Sequence, residues 1–267
     1  VGTEDQRDHS GDIWCRVSGT GETLIIGGSY MQEWKTVVVN GREVPVLISD
    51  EKEALLAAKA AGRAIVGLWR PGQEMEEIAA ARYVVENIED ATEEYLERVA
   101  RRTLGFPWHI CETERLLIRE MFADDFDEVW SNHIGRGFGS IEELEMYTKN
   151  QYTFYEFGFW ALVEKKTGEL VGMAGLTVPG APSDEETHGK QLEQYVLRTS
   201  ELEGEILELG YHIFPKFRSM GYAKEACLAI IRYGTEELRT SGFVVRIAED
   251  NEKSKKLAWG LGFESAV

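Results

Sequence analysis

One stretch constrains this chain most: "EILELGYHIFPKFRSMGYAKEACLAII", residues 205–231, joins an apolar run to an amphipathic run through a loop with little side-chain bulk. The first run is typical of a strand, and the second has apolar residues at helical spacing. The apolar face of that helix carries Ala223, Ala226, Cys227, Ile230 and Ile231. Because free N–H groups and the dipole at a helix N-terminus attract anions, the sequence predicts a phosphate-binding loop. An ordinary loop with solvated lysines is the alternative, since short motifs are weak without their structural context.

Charge argues against several classes of partner. The formal net charge of −18 disfavours nucleic acid and anionic membrane, because the field of the whole protein repels both. The apolar runs are too short to span a bilayer, so we expect a soluble, cytoplasmic protein. Cys15, Cys111 and Cys227 are far apart and are expected to be reduced thiols. The five histidines lack ligand spacing, so we expect no metal site and expect each histidine to be structural or exposed.

The chain of 267 residues divides at "LGFPW", where Gly105 and Pro107 end a helical segment. We therefore expect a small Rossmann-like α/β domain over residues 1–106 and a second domain over 107–267. In the first domain "VPVLIS", "DEKEALLAAKAAG" and "RAIVGLW" predict a β-α-β unit, with Asp50 capping the helix and Gly62 ending it. In the second, "FWALVEKKTGELVGMAGLTV" predicts a hairpin and residues 179–203 a long polar, acidic insertion.

Residues from about Cys111 to the C-terminus resemble the GCN5-related N-acetyltransferase (GNAT) superfamily, in particular the group that acetylates ribosomal-protein N-termini. The resemblance is carried by "TERLLIRE", by the loop above and by "FVVRIAEDNEKSKKLAWGLGF". It implies an α/β fold with a mixed, mostly antiparallel sheet, acetyl-CoA as co-substrate, and a small-molecule or peptide amine as acceptor. The residues that match the family's pyrophosphate loop are Arg218, Ser219, Met220, Gly221, Tyr222 and Ala223.

The resemblance also implies roles in the reaction. A main-chain N–H of Ile213 or Phe214 is expected to polarise the acetyl carbonyl. Glu208 is the candidate general base, acting directly or through a water, although it is also compatible with a surface glutamate on an alternating strand. Asn251 is expected to hold either the pantetheine arm or the helix start.

The chain departs from the family pattern at two places. The tyrosine that protonates the departing thiolate in many relatives is replaced by Ala258, so Ser254, or less favourably Tyr211, is expected to serve instead. A Ser254 that only caps the helix or hydrogen-bonds the cofactor is the alternative. The family usually continues through a closing strand after the equivalent of Gly262 and Phe263, whereas the sequence ends at Val267. We therefore expect either a truncated chain or a sheet that is finished in another way.

Several functional alternatives stay open at this level. The missing tyrosine favours a rival function, a sensor or scaffold that binds acetyl-CoA without transferring the acetyl group. The loop that contains Gly135, Gly137 and Gly139 is expected to border the acceptor, and the acidic insertion predicts a cationic acceptor.

The first domain weakly resembles the last third of haloacid-dehalogenase (HAD)-like domains. Because it lacks their early D-x-D nucleophile, we expect a non-catalytic scaffold for binding, regulation or homodimer formation rather than a phosphatase. Ligand binding near Asp50 and Glu51 stays open, since α/β sheets bind ligands at the carboxyl ends of their strands.

Overall fold

The computed structural model describes residues 16–17, 23–24, 30–132, 138–180, 191–200 and 204–266. Contacts between Cα atoms divide the chain into two compact units, Val1–Phe106 and Pro107–Val267. Over the described residues no helix is long and apolar enough to cross a membrane. The residues discussed above that lie outside the described ones are His9, Cys15, His133, Gly135, Gly137, His188 and Val267.

The first unit contains a four-stranded sheet in the order β3-β4-β5-β6. Its elements are β1 (Arg16–Val17), β2 (Thr23–Leu24), β3 (Gln32–Val39), β4 (Arg42–Ser49), α1 (Lys52–Ala60), β5 (Ala64–Leu68), α2 (Met75–Ile78), β6 (Val84–Val85) and α3 (Glu93–Thr103). Strands β3 and β4 form a hairpin whose turn residues, Asn40 and Gly41, have φ angles of 49° and 76°, as a tight right-twisted turn requires. Strands β4, β5 and β6 are parallel, which confirms the predicted β-α-β unit. A relation to HAD-like domains stays a prediction.

Asp50 does not cap α1, so this prediction was wrong. Glu51 occupies the N-cap position without a side-chain hydrogen bond to the helix. Asp50 is instead buried, and it accepts hydrogen bonds from the Arg70 guanidinium and the N–H of Met31. These partners hold the carboxylate at the end of β4, because a buried charge is stable only when it is paired and hydrogen-bonded.

The second unit is built on an eight-stranded sheet in the order β14-β11-β13-β12-β10-β9-β8-β7. Its elements are β7 (His109–Glu112), β8 (Leu116–Glu120), α4 (Phe126–Ser131), α5 (Ile141–Phe154), β9 (Phe159–Glu164), β10 (Leu170–Thr177), β11 (Leu192–Arg198), β12 (Ile206–Ile213), α6 (Tyr222–Glu236), β13 (Gly242–Ala248), α7 (Glu252–Gly260) and β14 (Glu264–Ser265). Strands β12 and β13 are parallel, and the other neighbouring pairs are antiparallel. The sheet is therefore mixed and mostly antiparallel, as predicted.

The segment predicted to be a polar insertion supplies a strand, which corrects the prediction for residues 192–198. Strand β11 lies between β13 and β14 and pairs with both. Tyr195 is buried and packs against Trp259 of α7, and the Glu193 carboxylate accepts a hydrogen bond from Lys255 at 2.9 Å. The sheet is therefore extended beyond β13 by a strand from inside the chain.

Candidate active site

A gap between two parallel strands forms the centre of the site. Strands β12 and β13 pair only as far as Glu208 and Val244, although β12 continues to Ile213 along β10. The N–H of Phe214 donates to the carbonyl oxygen of Val171 at 2.9 Å. Because N–H groups alternate in direction along an antiparallel pair, those of Tyr211 and Ile213 point away from β10, towards the gap.

The predicted phosphate loop lies beside this gap, at the N-terminus of the 15-residue helix α6. Ser219 and Gly221 have φ angles of 62° and 88°, which curl the loop and direct its amides into the open. A Cβ atom added at Gly221 would meet only the Arg115 guanidinium, at 3.3 Å, so the backbone stays open to a ligand. The loop lines a cavity of about 480 Å³ together with Arg218, Lys224 and other residues. These donors and cations suit a diphosphate.

Arg115, which sequence reasoning missed, holds the loop in place from the residue just before β8. Its guanidinium donates to the Met220 carbonyl at 2.9 Å and pairs with Glu225 of α6 at 2.6 Å. It also lies over the Tyr222 ring, 4.4 Å from the centroid. Glu225 accepts further hydrogen bonds from Thr113 and from the N–H of Arg115; these contacts outweigh the effect of burial and lower the pKa of Glu225. The pair therefore stays ionised and fixes the first turn of α6 against the sheet.

Some residues predicted to bind the cofactor face elsewhere. Phe214 is buried and its N–H is bonded to β10, so it is not available to polarise a carbonyl. The Met220 side chain is exposed and does not line the cavity. Of the nearby lysines, Lys216 pairs with Glu169 at 2.6 Å, and Lys255 is buried against β11. The other residues predicted to bind the cofactor do line this cavity, namely Ile213, Arg218, Ser219, Gly221, Tyr222, Ala223, Asn251 and Ser254.

The hydroxyl groups of Tyr211 and Ser254 lie where the acid that protonates the departing thiolate is expected. The Tyr211 hydroxyl donates to the Ser254 oxygen at 2.9 Å, which leaves the Ser254 hydrogen free to donate to another group. Burial raises the pKa of Tyr211, so the phenol stays protonated at neutral pH. Asn251 caps α7 by accepting the N–H of Ser254 at 3.1 Å. Ala258 is buried one turn further along the same helix face and lines the neighbouring cavity.

A second cavity, of about 460 Å³, shares Tyr211, His212, Asn251, Ser254 and Leu257 with the first. On the α5 side of β12 the second cavity is lined by Glu208, Gly210 and His212. These alternate along the strand with Leu209 and Tyr211, which are on the α6 side. Gly210 is needed there, because a Cβ atom would lie 2.7 Å from the Phe159 ring. The Tyr147 hydroxyl of α5 accepts a hydrogen bond from the N–H of Phe159 at 2.8 Å. The second cavity is also lined by Cys227, Ala258 and Phe263 on the α6–α7 side, so it extends across the gap and meets the first cavity there.

Glu208, the candidate base, already has a strong partner. Arg246 of β13 donates from Nε to both carboxylate oxygens at 2.9 Å, and both side chains are largely buried. The N–H of Gly180 also donates to Glu208, at 3.3 Å. Sequence reasoning missed Arg246, because only the parallel register of β12 and β13 brings it beside Glu208.

Comparison with known proteins identifies the class of protein that this unit represents. The family model described as "Acetyltransferase (GNAT) domain" matches residues 115–264, so the chain belongs to the GNAT family and is an acetyltransferase. The uncharacterized N-acetyltransferase YoaA of Bacillus subtilis (strain 168) is 25% identical over 167 residues, which cover 58% of this chain and 82% of YoaA.

Two solved structures are also similar to this chain. A putative GNAT-family acetyltransferase from Bordetella pertussis aligns with a TM-score of 0.44 and 19% identity, over 59% of this chain and 89% of that one. A putative ribosomal-protein-serine acetyltransferase from Vibrio cholerae aligns with a TM-score of 0.40 and 22% identity, over 58% of this chain and 82% of that one.

Proposed function

We propose that this acetyltransferase moves the acetyl group of acetyl-CoA to a primary amine, a protein N-terminus or a small amine, by direct attack within a ternary complex. One observation carries the proposal: a cation-lined cavity at a helix N-terminus and a largely apolar cavity meet at the gap between β12 and β13. Such an arrangement suits two substrates that meet at one reacting carbon, and holding them together supplies much of the rate enhancement.

The first cavity would hold the carrier. The amides around Gly221 and the side chains of Arg218 and Lys224 would bind the diphosphate. Arg218 is itself held by its Nε, which donates to the carbonyl oxygen of Ile213 at 3.0 Å, so its guanidinium ties the loop to the end of β12. The pantetheine arm would then follow β12 and bring the thioester to the gap.

At the gap the N–H groups of Tyr211 and Ile213 would stabilise the negative charge that develops on the thioester oxygen. The departing sulfur would take a proton from Ser254, whose oxygen is bonded to the Tyr211 phenol. This pair would replace the tyrosine that many relatives carry at the position of Ala258.

Amine-stimulated release of coenzyme A thiol tests the proposal. Spermidine, phenylethylamine, hydroxylamine and a peptide with a free N-terminus should be compared, with acetylated product confirmed by mass spectrometry. We expect at least one amine to accelerate thiol release. If acetyl-CoA binds but no amine accelerates the release, the protein is a sensor or scaffold and the proposal is wrong.

A further inference from the structure

We propose that the imidazole of His212, rather than the carboxylate of Glu208, accepts the proton from the attacking amine. The inference rests on the proposed function and assigns a further catalytic residue within the same site. It starts from a half-buried titratable group that borders both cavities.

Position along β12 favours His212. It adjoins Tyr211 and Ile213, the two residues whose N–H groups face the gap, and its side chain is on the α5 face, where the second cavity lies. Glu208 is on the same face but three to five residues away, which corresponds to roughly 10–17 Å along a strand. A glutamate side chain spans only part of that distance, so an amine nitrogen at the thioester would be within direct reach of His212, whereas Glu208 would act only through water.

Bonding favours His212 as well. Its Nε2 atom is buried and has no hydrogen-bond partner among the described residues, although the ring borders both cavities. A buried nitrogen without a partner is costly, and a rotation of the ring that turns Nε2 into the cavity would let an amine N–H satisfy it. Glu208, in contrast, is engaged by Arg246 and by the N–H of Gly180.

The charges around the ring keep the imidazole in its basic form. Burial lowers the pKa of His212, and the Arg218 cation lowers it further. On the cavity side, burial raises the pKa of Tyr147 to about 12, so this α5 phenol is neutral. Glu208 and Arg246 offset each other, and Met173, which pairs with His212 from β10, carries no charge. The imidazole is therefore unprotonated at neutral pH and can accept a proton.

The step balances as follows. The lone pair of the neutral amine forms the N–C bond while the carbonyl π electrons move to oxygen, beside the two free N–H groups. The electrons return, the C–S bond breaks, and the sulfur takes a proton from Ser254. The nitrogen gives its proton to His212, which releases it to solvent, and Ser254 regains a proton from solvent.

The test compares His212→Gln and Glu208→Gln in the full chain, with the fastest amine of the panel above and kcat/KM measured from pH 5 to 9. General-base catalysis is typically worth about 10²–10⁴-fold, so we expect His212→Gln to lower kcat by that factor while acetyl-CoA affinity is unchanged. The ionisation of the base on the acidic limb of the wild-type profile should disappear in His212→Gln and persist in Glu208→Gln, while the ionisation of the amine itself remains in both. His109→Gln, on exposed β7, is the matched control and should leave the profile unchanged.

Imidazole in the buffer should partly restore the rate of His212→Ala, which separates lost chemistry from a damaged fold. The inference is overturned if Glu208→Gln removes the ionisation of the base and His212→Gln keeps it. If wild type turns over no amine of the panel, hydroxylamine included, the proposed function fails and this inference fails with it.

Discussion

Replacing Gly221 by asparagine or aspartate tests whether the diphosphate lies at the N-terminus of α6. Gly221 has a φ of +88°, in the left-handed region that asparagine and aspartate tolerate better than other residues. The two variants have the same shape and should lose a similar stability, about 1 kcal/mol, from backbone strain. They differ in one negative charge at the opening of the cation-lined cavity.

The magnitude follows from Coulomb's law. Two unit charges 4 Å apart repel by about 1 kcal/mol in water and about 4 kcal/mol near a protein surface. Gly221 is exposed, so the lower part of this range applies. About 1.4 kcal/mol corresponds to a tenfold change in affinity, and we therefore expect Gly221→Asp to bind acetyl-CoA about tenfold more weakly than Gly221→Asn.

Isothermal titration calorimetry at low salt and at 1 M salt measures the difference in acetyl-CoA affinity between the two variants. This difference should shrink at high salt, because screening shortens the range of the repulsion. Gly62→Asn is the strain control: its φ is +69°, no atom lies within 4 Å of an added Cβ, and it is in the first unit. It should lose stability without losing affinity. Equal affinities of the asparagine and aspartate variants at low salt would refute a diphosphate site at this helix.

Three further predictions concern the same unit. Ser254→Ala should lower kcat about 10²–10⁴-fold, and Tyr211→Phe should lower it less, because the phenol acts through the serine. If acetyl-CoA affinity is unchanged in steady-state kinetics, the two residues protonate the thiolate rather than bind the carrier. Arg119→Met breaks a largely buried, doubly hydrogen-bonded pair with Asp125 and should lower the free energy of unfolding in urea by about 3–5 kcal/mol. Arg101→Met is the comparison and should lower it by only about 0.3–0.5 kcal/mol, because its partner Glu97 is four residues away on the same helix. Val196→Pro should destabilise the unit by about 1–3 kcal/mol, since β11 pairs on both sides and proline removes a hydrogen-bond donor from the strand. A normal urea midpoint would contradict the strand.

Local patterns were sufficient to predict several elements. The β9–β10 hairpin, the strand before the loop and helix α6 each follow from side-chain periodicity within fewer than thirty residues. The same is true of Asn251, a capping residue that needs only its own helix. Local hydrogen bonds and side-chain periodicity determine these elements, so one sequence suffices to find them.

Elements that depend on distant partners could not be predicted in this way. Strand β11 was masked by the acidic residues around it, and its pairing partner β13 is about fifty residues away in the chain. Likewise, the pairing of Glu208 with Arg246 depends on the register of two strands joined through helix α6. Sequence reasoning could therefore place Glu208 on the correct strand but could not determine which charge it faces.

The period of two along β12 explains how one strand can serve both substrates. Tyr211 points to the α6 side and meets Ser254, whereas Gly210 and His212 point to the α5 side, towards the second cavity. Since the N–H groups between them lie in the plane of the sheet, a thioester at the gap is accessible from both faces. A leaving-group acid on one face and a proton acceptor on the other avoid competing for one proton. This separation requires the strands to part beyond Glu208, because a continued ladder would use the N–H groups of Tyr211 and Ile213 in the sheet.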